Sequence, residues 1–211
     1  VEEKMTTSWW WLRHAPVTGL EGVIYGQQDV PCNVGEKAAF CSLAEALPDD
    51  AVWVASPLSR TKDTAQALFD ELGTKYDLVI EPDLMEQNFG LWQGLKWDDF
   101  KESDDPQYRD FWKDAALNRP PEGESFSDVI KRVTSLTKKL NEKFKGRDII
   151  AVAHGGSIRA ALALALEISP LRALSIKIDP LSLTRIDHMS EDKFSGVRVA
   201  GVNRPFSSES A

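Results

Sequence analysis

The stretch that most constrains this chain is S-W-W-W-L-R-H-A-P-V, residues 8–17. Four apolar residues, three of them tryptophans, run straight into Arg13 and His14, and Pro16 stops any regular continuation. A continuous apolar run of this length, closed by a breaker, predicts a short buried strand. In an open α/β sheet the carboxyl ends of the strands present ligand-binding groups, so Arg13 and His14 become candidate site residues. Taken alone, the stretch fits ordinary loop residues after a strand equally well.

The rest of the chain repeats the pattern. Residues 14–33 form a long connection rich in Gly, Pro and Gln, and a loop of that length inside a domain is more often functional than not. Asn33 with Glu36 has capping-box spacing, and Ala38, Ala39, Leu43 and Leu47 predict a helix ending at Pro48. A second apolar run, 51–55, precedes S-P-L-S-R and a helix predicted to begin near Ser59 and end at Gly73; 77–81 predicts a third strand. Alternating strands and helices imply crossover connections and a mostly parallel sheet. Residues 84–124 break the rhythm with Trp92, Trp97 and Trp112 and two helical patches, and predict a helical insertion over the strand ends, too short to bury a core alone. An amphipathic helix over 125–144, a fourth buried strand over 147–153 and an Ala/Leu helix opened by Ser157 follow. Alternation in 174–178, 182–189 and 197–202 predicts strands completing the sheet edge. The expectation is one three-layer α/β/α domain over 5–206, with residues 1–4 and 207–211 as flexible tails.

With 211 residues and 42% hydrophobic content the chain can bury a full core. A formal net charge of −8 disfavours nucleic acid or an anionic membrane surface as partner, so basic groups serving an anionic ligand must be local. Cys32 and Cys41 have no metal-ligand spacing and fit free thiols in a reducing compartment. No apolar stretch is long enough for a membrane span, and the expected location is the cytoplasm.

Two predicted strands end in histidine, Arg13-His14 and His154-Gly155-Gly156, and in a parallel sheet both ends face one crevice. A third delivers Arg60 in the first turn of its helix. Two guanidiniums, two imidazoles and a helix N-terminus converging there fit a phosphate. Neighbouring cations keep an imidazole neutral, which is the form that attacks phosphorus, so His14 is the candidate nucleophile. The leaving alkoxide needs a proton. Glu86 in L-M-E-Q-N-F-G is the candidate acid, since a phosphate dianion beside it favours the protonated carboxyl. Gly155 belongs to the substrate-binding set, and His154 reaches the transferring group from a side that spacing leaves open.

R-H-A-P, S-P-L-S-R-T-K-D-T-A, L-M-E-Q-N-F-G-L-W-Q-G and H-G-G-S-I-R, in this order, resemble the signature of the histidine phosphatase family, the phosphoglycerate mutase-like fold, over about 9–166. The resemblance implies a phosphohistidine intermediate at His14, a phosphate pocket of Arg13, Arg60 and His154, and Glu86 as proton donor, with no metal and no other cofactor. F-G-L-W-Q-G, the short insertion and P-P-E-G-E-S-F-S-D-V look most like the α-ribazole phosphatase branch of cobalamin synthesis. Two departures bear on specificity. Ala15, Pro16 and Val17 stand where the family usually has Gly then Glu-Thr, and Leu20 stands where a polar residue is frequent; Gln27 or Gln28 could supply the missing contact. The implied activity is metal-independent hydrolysis of a small phosphorylated metabolite. A phosphoglycerate mutase and a non-catalytic phospho-ligand binder are the alternatives, the first disfavoured by the short insertion.

Blander roles compete for other residues. His188 fits a structural or surface position on an edge strand, Arg159 a helix surface as readily as a substrate contact, Glu124 a cap on the following helix, and the insertion tryptophans packing rather than base stacking. Natural substrate and oligomeric state are not legible in these residues.

Overall fold

The continuous apolar runs become strands covered by helices on both faces. The computed structural model describes residues 6–102, 105–191 and 194–206, and the expected tails, 1–4 and 207–211, lie outside the described residues. The elements in chain order are β1 (Thr6–Arg13), α1 (Lys37–Ala46), β2 (Ala51–Ala55), α2 (Ser59–Leu72), β3 (Leu78–Ile80), α3 (Trp97–Glu102), α4 (Pro106–Lys113), α5 (Phe126–Lys143), β4 (Asp148–Ala153), α6 (Gly155–Leu166), α7 (Pro170–Leu174), β5 (Leu183–Glu191) and β6 (Phe194–Arg204). The strands form one sheet in the order β3-β2-β4-β1-β5-β6. Pairings β3·β2, β2·β4 and β4·β1 are parallel, and β5 is antiparallel to both of its neighbours.

Side-chain alternation explains the tryptophan run. Trp9 and Trp11 face α5 and α6, stacked on each other with ring centroids 4.8 Å apart, and pack with Val129, Val133 and Ile158. Leu12 faces the opposite layer and meets Phe40, Leu43 and Leu68 of α1 and α2. Trp10 lies on that side too, with the Arg185 guanidinium 4.4 Å from its ring centroid and its indole N–H donating to Asp148 Oδ1 at 3.1 Å. Ile149 and Ala151 of β4 join the first layer, and Ile150 and Val152 the second. A sheet buried on both faces needs no polar alternation, which is why these strands read as unbroken apolar runs.

Four local expectations change. Residues 174–178 are not a strand: Ser169 caps α7, accepting from Arg172 N, Pro170 takes its first turn, and Leu174 ends it. α1 begins without a capping box, because Asn33 Oδ1 accepts from Gly35 N in a local turn and no side chain caps Glu36. α6 starts at Gly155 rather than Ser157, whose hydroxyl accepts from His154 N at 3.0 Å. His188 is on β5, an interior strand between β1 and β6.

The 84–124 region packs through its own aromatic cluster. Trp92 is buried at its centre, with ring centroids 5.1 Å from both Phe100 and Phe111. The 14–33 loop is tied to it by Ile24 N donating to Leu95 O at 2.9 Å and Trp97 N donating to Gly22 O at 3.0 Å. Its exit is tied to its entrance at Gly90, whose φ is +54°. A Cβ there would overlap the Pro121 carbonyl oxygen and lie 2.6 Å from Gly123 N. Gly90→Ala therefore combines left-handed strain with backbone overlap and is expected to cost roughly 2–4 kcal/mol of stability in urea unfolding. A loss under about 0.5 kcal/mol would contradict this packing.

Candidate active site

The register of β1 and β4 builds the centre of the site. Arg13 pairs with Ala153 across the parallel ladder, and His14 N donates to Ala153 O at 3.0 Å. His14 and His154 thus leave adjacent strand ends together, with ring centroids 5.1 Å apart and planes tilted by 59°. β2 ends one strand further along, and Ser56 Oγ lies 2.7 Å from His154 Nε2. Arg60, in the first turn of α2, is fully buried behind them.

Each of these groups has one side held and another unengaged. His14 Nδ1 lies 2.7 Å from Ala15 O; a carbonyl only accepts, so neutral His14 carries its proton on Nδ1 and its lone pair on Nε2. Arg13 Nη1 donates to Ile178 O at 2.5 Å. Arg60 donates from Nη1 to Gln28 O at 2.8 Å and from Nη2 to Gly26 O at 2.6 Å, which fastens the 14–33 loop around the site. Four of the remaining nitrogens, Arg13 Nε, His14 Nε2, Arg60 Nε and His154 Nδ1, are buried without a hydrogen-bond partner. Buried polar atoms are ordinarily paired; Arg13 Nε, Arg60 Nε and His154 Nδ1 can donate to the oxygens of a tetrahedral oxyanion, which leaves the His14 Nε2 lone pair free to face its central atom.

Burial, then the Arg13 and Arg60 charges, holds His14 well below the usual histidine pKa against the Ala15 carbonyl. Burial, then His14, Arg60, Arg13 and Arg132, does the same to His154. Both imidazoles are neutral around pH 7. Burial also lowers Arg60, though not to a range where it would lose its proton at neutral pH.

Glu86 closes the opposite side. Its Oε1 accepts from Gln87 N and from Gly156 N, both at 2.9 Å, at the N-terminus of α6. A Cβ on residue 156 would overlap Oε1, so only glycine lets this carboxylate settle on the helix end. A Cβ on Gly155 would lie 3.8 Å from both Glu86 Oε2 and Arg13 Nε, and these distances mark one small space shared by the carboxylate and the guanidinium. Gln27 stands beside Glu86, its amide nitrogen donating to Glu86 O at 2.9 Å and to Glu124 Oε1 at 3.4 Å.

The residues missed in the sequence are supports. Arg132 donates to both Glu124 carboxylate oxygens, at 3.1 and 2.9 Å, and to Glu86 O at 3.1 Å. Glu124 Oε1 also accepts from Asn88 N, so Glu124 braces the Glu86 loop; Ser125 itself caps α5, in a capping box with Asp128. Thr64 Oγ1 accepts from Ala15 N at 2.9 Å and donates to Arg60 O at 2.6 Å, so one hydroxyl joins the loop after the nucleophile to α2. Nothing in a lysine-rich helix separates Arg132 from its neighbours.

A cavity of about 240 Å³ opens beside Glu86 and Gly156, with Tyr25, Phe89, Trp97 and Arg159 in its wall. Trp92 is part of the packing, Trp97 serves packing and wall together, and Trp112 is half exposed. A larger depression of about 530 Å³ by His188 and Asn141 contains none of the candidate site residues. No group of three His, Cys, Asp or Glu side chains among the described residues could hold a metal ion, and none of the described helices is long and apolar enough to cross a membrane.

Comparison with known proteins agrees with this geometry. A bifunctional protein of Mycobacterium tuberculosis is 34% identical over 146 residues, 69% of this chain and 39% of that protein. A metal-independent phosphoserine phosphatase of Arabidopsis thaliana is 34% identical over 155 residues, 71% of this chain and 64% of that protein. The chain thus spans well under two thirds of the mycobacterial relative. Among solved structures, a mycobacterial glucosyl-3-phosphoglycerate phosphatase superposes with a TM-score of 0.79 at 25% identity, covering 94% of this chain and 99% of that one. The α-ribazole phosphatase of Shigella flexneri gives 0.78 at 22% identity, covering 94% and 98%, a likeness of fold alone. The family model of the histidine phosphatase superfamily (branch 1) matches residues 9–200, and the chain belongs to that superfamily.

Proposed function

We propose that this chain hydrolyses a small phosphomonoester through a phosphohistidine at His14, without a metal. The observation that carries the reading is the set of four buried, unpaired nitrogens on Arg13, His14, Arg60 and His154. The Nε2 lone pair of neutral His14 attacks phosphorus, the bond from phosphorus to the ester oxygen breaks, and Glu86 gives its proton to the departing alkoxide. Arg13, Arg60 and His154 donate to the three non-bridging oxygens as charge shifts onto them. Water then attacks phosphorus and passes a proton to Glu86. The phosphorus–nitrogen bond breaks, and phosphate and neutral His14 are regenerated. The two guanidiniums favour electrostatic stabilisation by the chain itself.

The motif resemblance makes α-ribazole 5′-phosphate one candidate substrate, and the aromatic wall of Tyr25, Phe89 and Trp97 suits a stacked base. Phosphate release with a chelator present, compared among that ester, 3-phosphoglycerate and an aryl phosphate, tests the reading. Release from at least one supports a metal-independent phosphatase, isomerisation of 3-phosphoglycerate without release supports the mutase, and no reaction supports a binder.

Two further outcomes follow from the roles assigned. Glu86→Gln should lower kcat roughly 10²–10⁴-fold on alkyl esters and much less on an aryl ester, whose leaving group departs without a proton. Equal losses on both would remove Glu86 as the acid. Because burial and the flanking guanidiniums hold His14 well below 6.5, an NMR titration of the free enzyme should show a midpoint on the acid side of 6.5. A midpoint at or above 6.5 would contradict the electrostatic account.

A further inference from the structure

The two imidazoles leave different nitrogens unpaired, Nε2 on His14 and Nδ1 on His154, so each ring is held from behind by its other nitrogen. Behind His14 stands the Ala15 carbonyl, 2.7 Å from Nδ1. Behind His154 stands the Ser56 hydroxyl, 2.7 Å from Nε2. A carbonyl only accepts, which places the His14 proton. A hydroxyl donates or accepts, so the place of the His154 proton depends on what else holds that hydroxyl.

Ser56, Thr61 and His154 are fully buried. Thr61 Oγ1 lies 2.9 Å from both the Ser56 and the Leu58 carbonyl oxygens, and since these only accept, its single proton goes to that side. Thr61 then has none to give Ser56 Oγ, 3.1 Å away. Leu58 N donates to Ser56 Oγ at 3.3 Å and occupies one of its lone pairs. Among the described residues the Ser56 proton has two acceptors, His154 Nε2 at 2.7 Å and Thr61 Oγ1 at 3.1 Å, and the imidazole nitrogen is the nearer. An oxyanion in the pocket decides between them. Its oxygens only accept, so a neutral His154 can bind one only with its proton on Nδ1, which leaves Nε2 to accept from Ser56.

We infer that Ser56 is a positioning residue that donates to His154 Nε2 in the oxyanion complex and so holds neutral His154 as an Nδ1–H donor. The partners behind the two rings thereby divide the work between them. A carbonyl acceptor behind His14 turns a lone pair toward phosphorus, and a hydroxyl donor behind His154 turns an N–H toward oxygen. Donation to Nε2 also polarises the ring and strengthens the N–H offered at Nδ1. Without the hydroxyl, Nε2 is a buried acceptor with no partner, and the ring loses its tie to the end of β2. The inference deepens the phosphatase reading above and rests on its oxyanion site.

Nitrogen-15 NMR of the full chain saturated with inorganic phosphate at neutral pH tests it, and three histidines give few ring signals to assign. In the wild type, His154 should carry its proton on Nδ1 and show a bare, hydrogen-bonded Nε2. Ser56→Ala should move the Nε2 signal to lower field as that bond is lost. The same variant should weaken inorganic phosphate at least about threefold and lower kcat/KM on an aryl phosphate by more, roughly tenfold, because charge on the oxygens grows in the transition state. Ser56→Cys, a weak donor of nearly the same size, should fall between the two. A proton on His154 Nε2 in the phosphate complex, alone or together with one on Nδ1, would overturn the inference, as would an Nε2 signal and phosphate affinity unchanged in Ser56→Ala. The wild-type spectrum decides even if a variant fails to fold. Ester hydrolysis by an enzyme whose His154 is protonated on Nε2 would remove the role of Ser56 and leave the phosphatase standing. The expected spectrum without hydrolysis of any ester would remove the phosphatase and leave Ser56 its role in oxyanion binding.

Discussion

The site depends on one piece of sheet geometry, the parallel register that sets Arg13 opposite Ala153 and lets His14 N–H bond to the Ala153 carbonyl. That pairing brings two imidazoles from residues 140 apart in sequence to ring contact, and Ser56 at the end of β2 anchors the second of them. A slip of one residue between β1 and β4 would exchange the faces of Trp9, Trp11 and Leu12, so the packing of both helical layers defends the register. The hydrophobic core therefore serves the chemistry directly. The indole stack of Trp9 and Trp11 and the aliphatic wall of α1 and α2 hold the strand that leads into Arg13 and His14.

The same geometry carries an energetic burden. Four nitrogens without partners and two guanidiniums lie in or beside the core, and each unpaired group costs stability that apolar packing must offset. Both histidines bind protons less readily folded than unfolded. Their contribution to stability is therefore present above about pH 6.5, the unfolded histidine value, and is lost as pH falls below it. On the proposed function, an oxyanion ligand would offset part of this burden by binding only the folded arrangement, and the donors are in place without it, as electrostatic catalysis requires.

Much of this was legible in the sequence, for a physical reason. A strand buried on both faces leaves an unbroken apolar run, and the polar residues that end it stand out, as at Arg13-His14, Ser56 and His154. Residues 174–178 misled because their alternation arises otherwise: Leu174, the last residue of α7, packs on both the aromatic cluster of the insertion and the main core, and Ile176 and Ile178, beyond the helix, pack on the main core. Asn33 carried capping chemistry that a nearer backbone N–H, on Gly35, captured first. Arg132 and Thr64 were invisible because a supporting role comes from what a side chain meets in space, and neither periodicity nor spacing records it. Glu124 and Arg159 were named from the sequence, and the structure adds their partners: Arg132 for Glu124 and the Ile176 carbonyl for Arg159.

The central claim is a covalent bond between phosphorus and His14. Rapid acid-free quenching during turnover of an aryl phosphate, followed by peptide mass spectrometry, measures it most directly. The account predicts a phosphoryl adduct on the peptide bearing His14, with both adduct and phosphate release lost in His14→Ala. Sustained phosphate release by His14→Ala, or an adduct located on His154 instead, would contradict it.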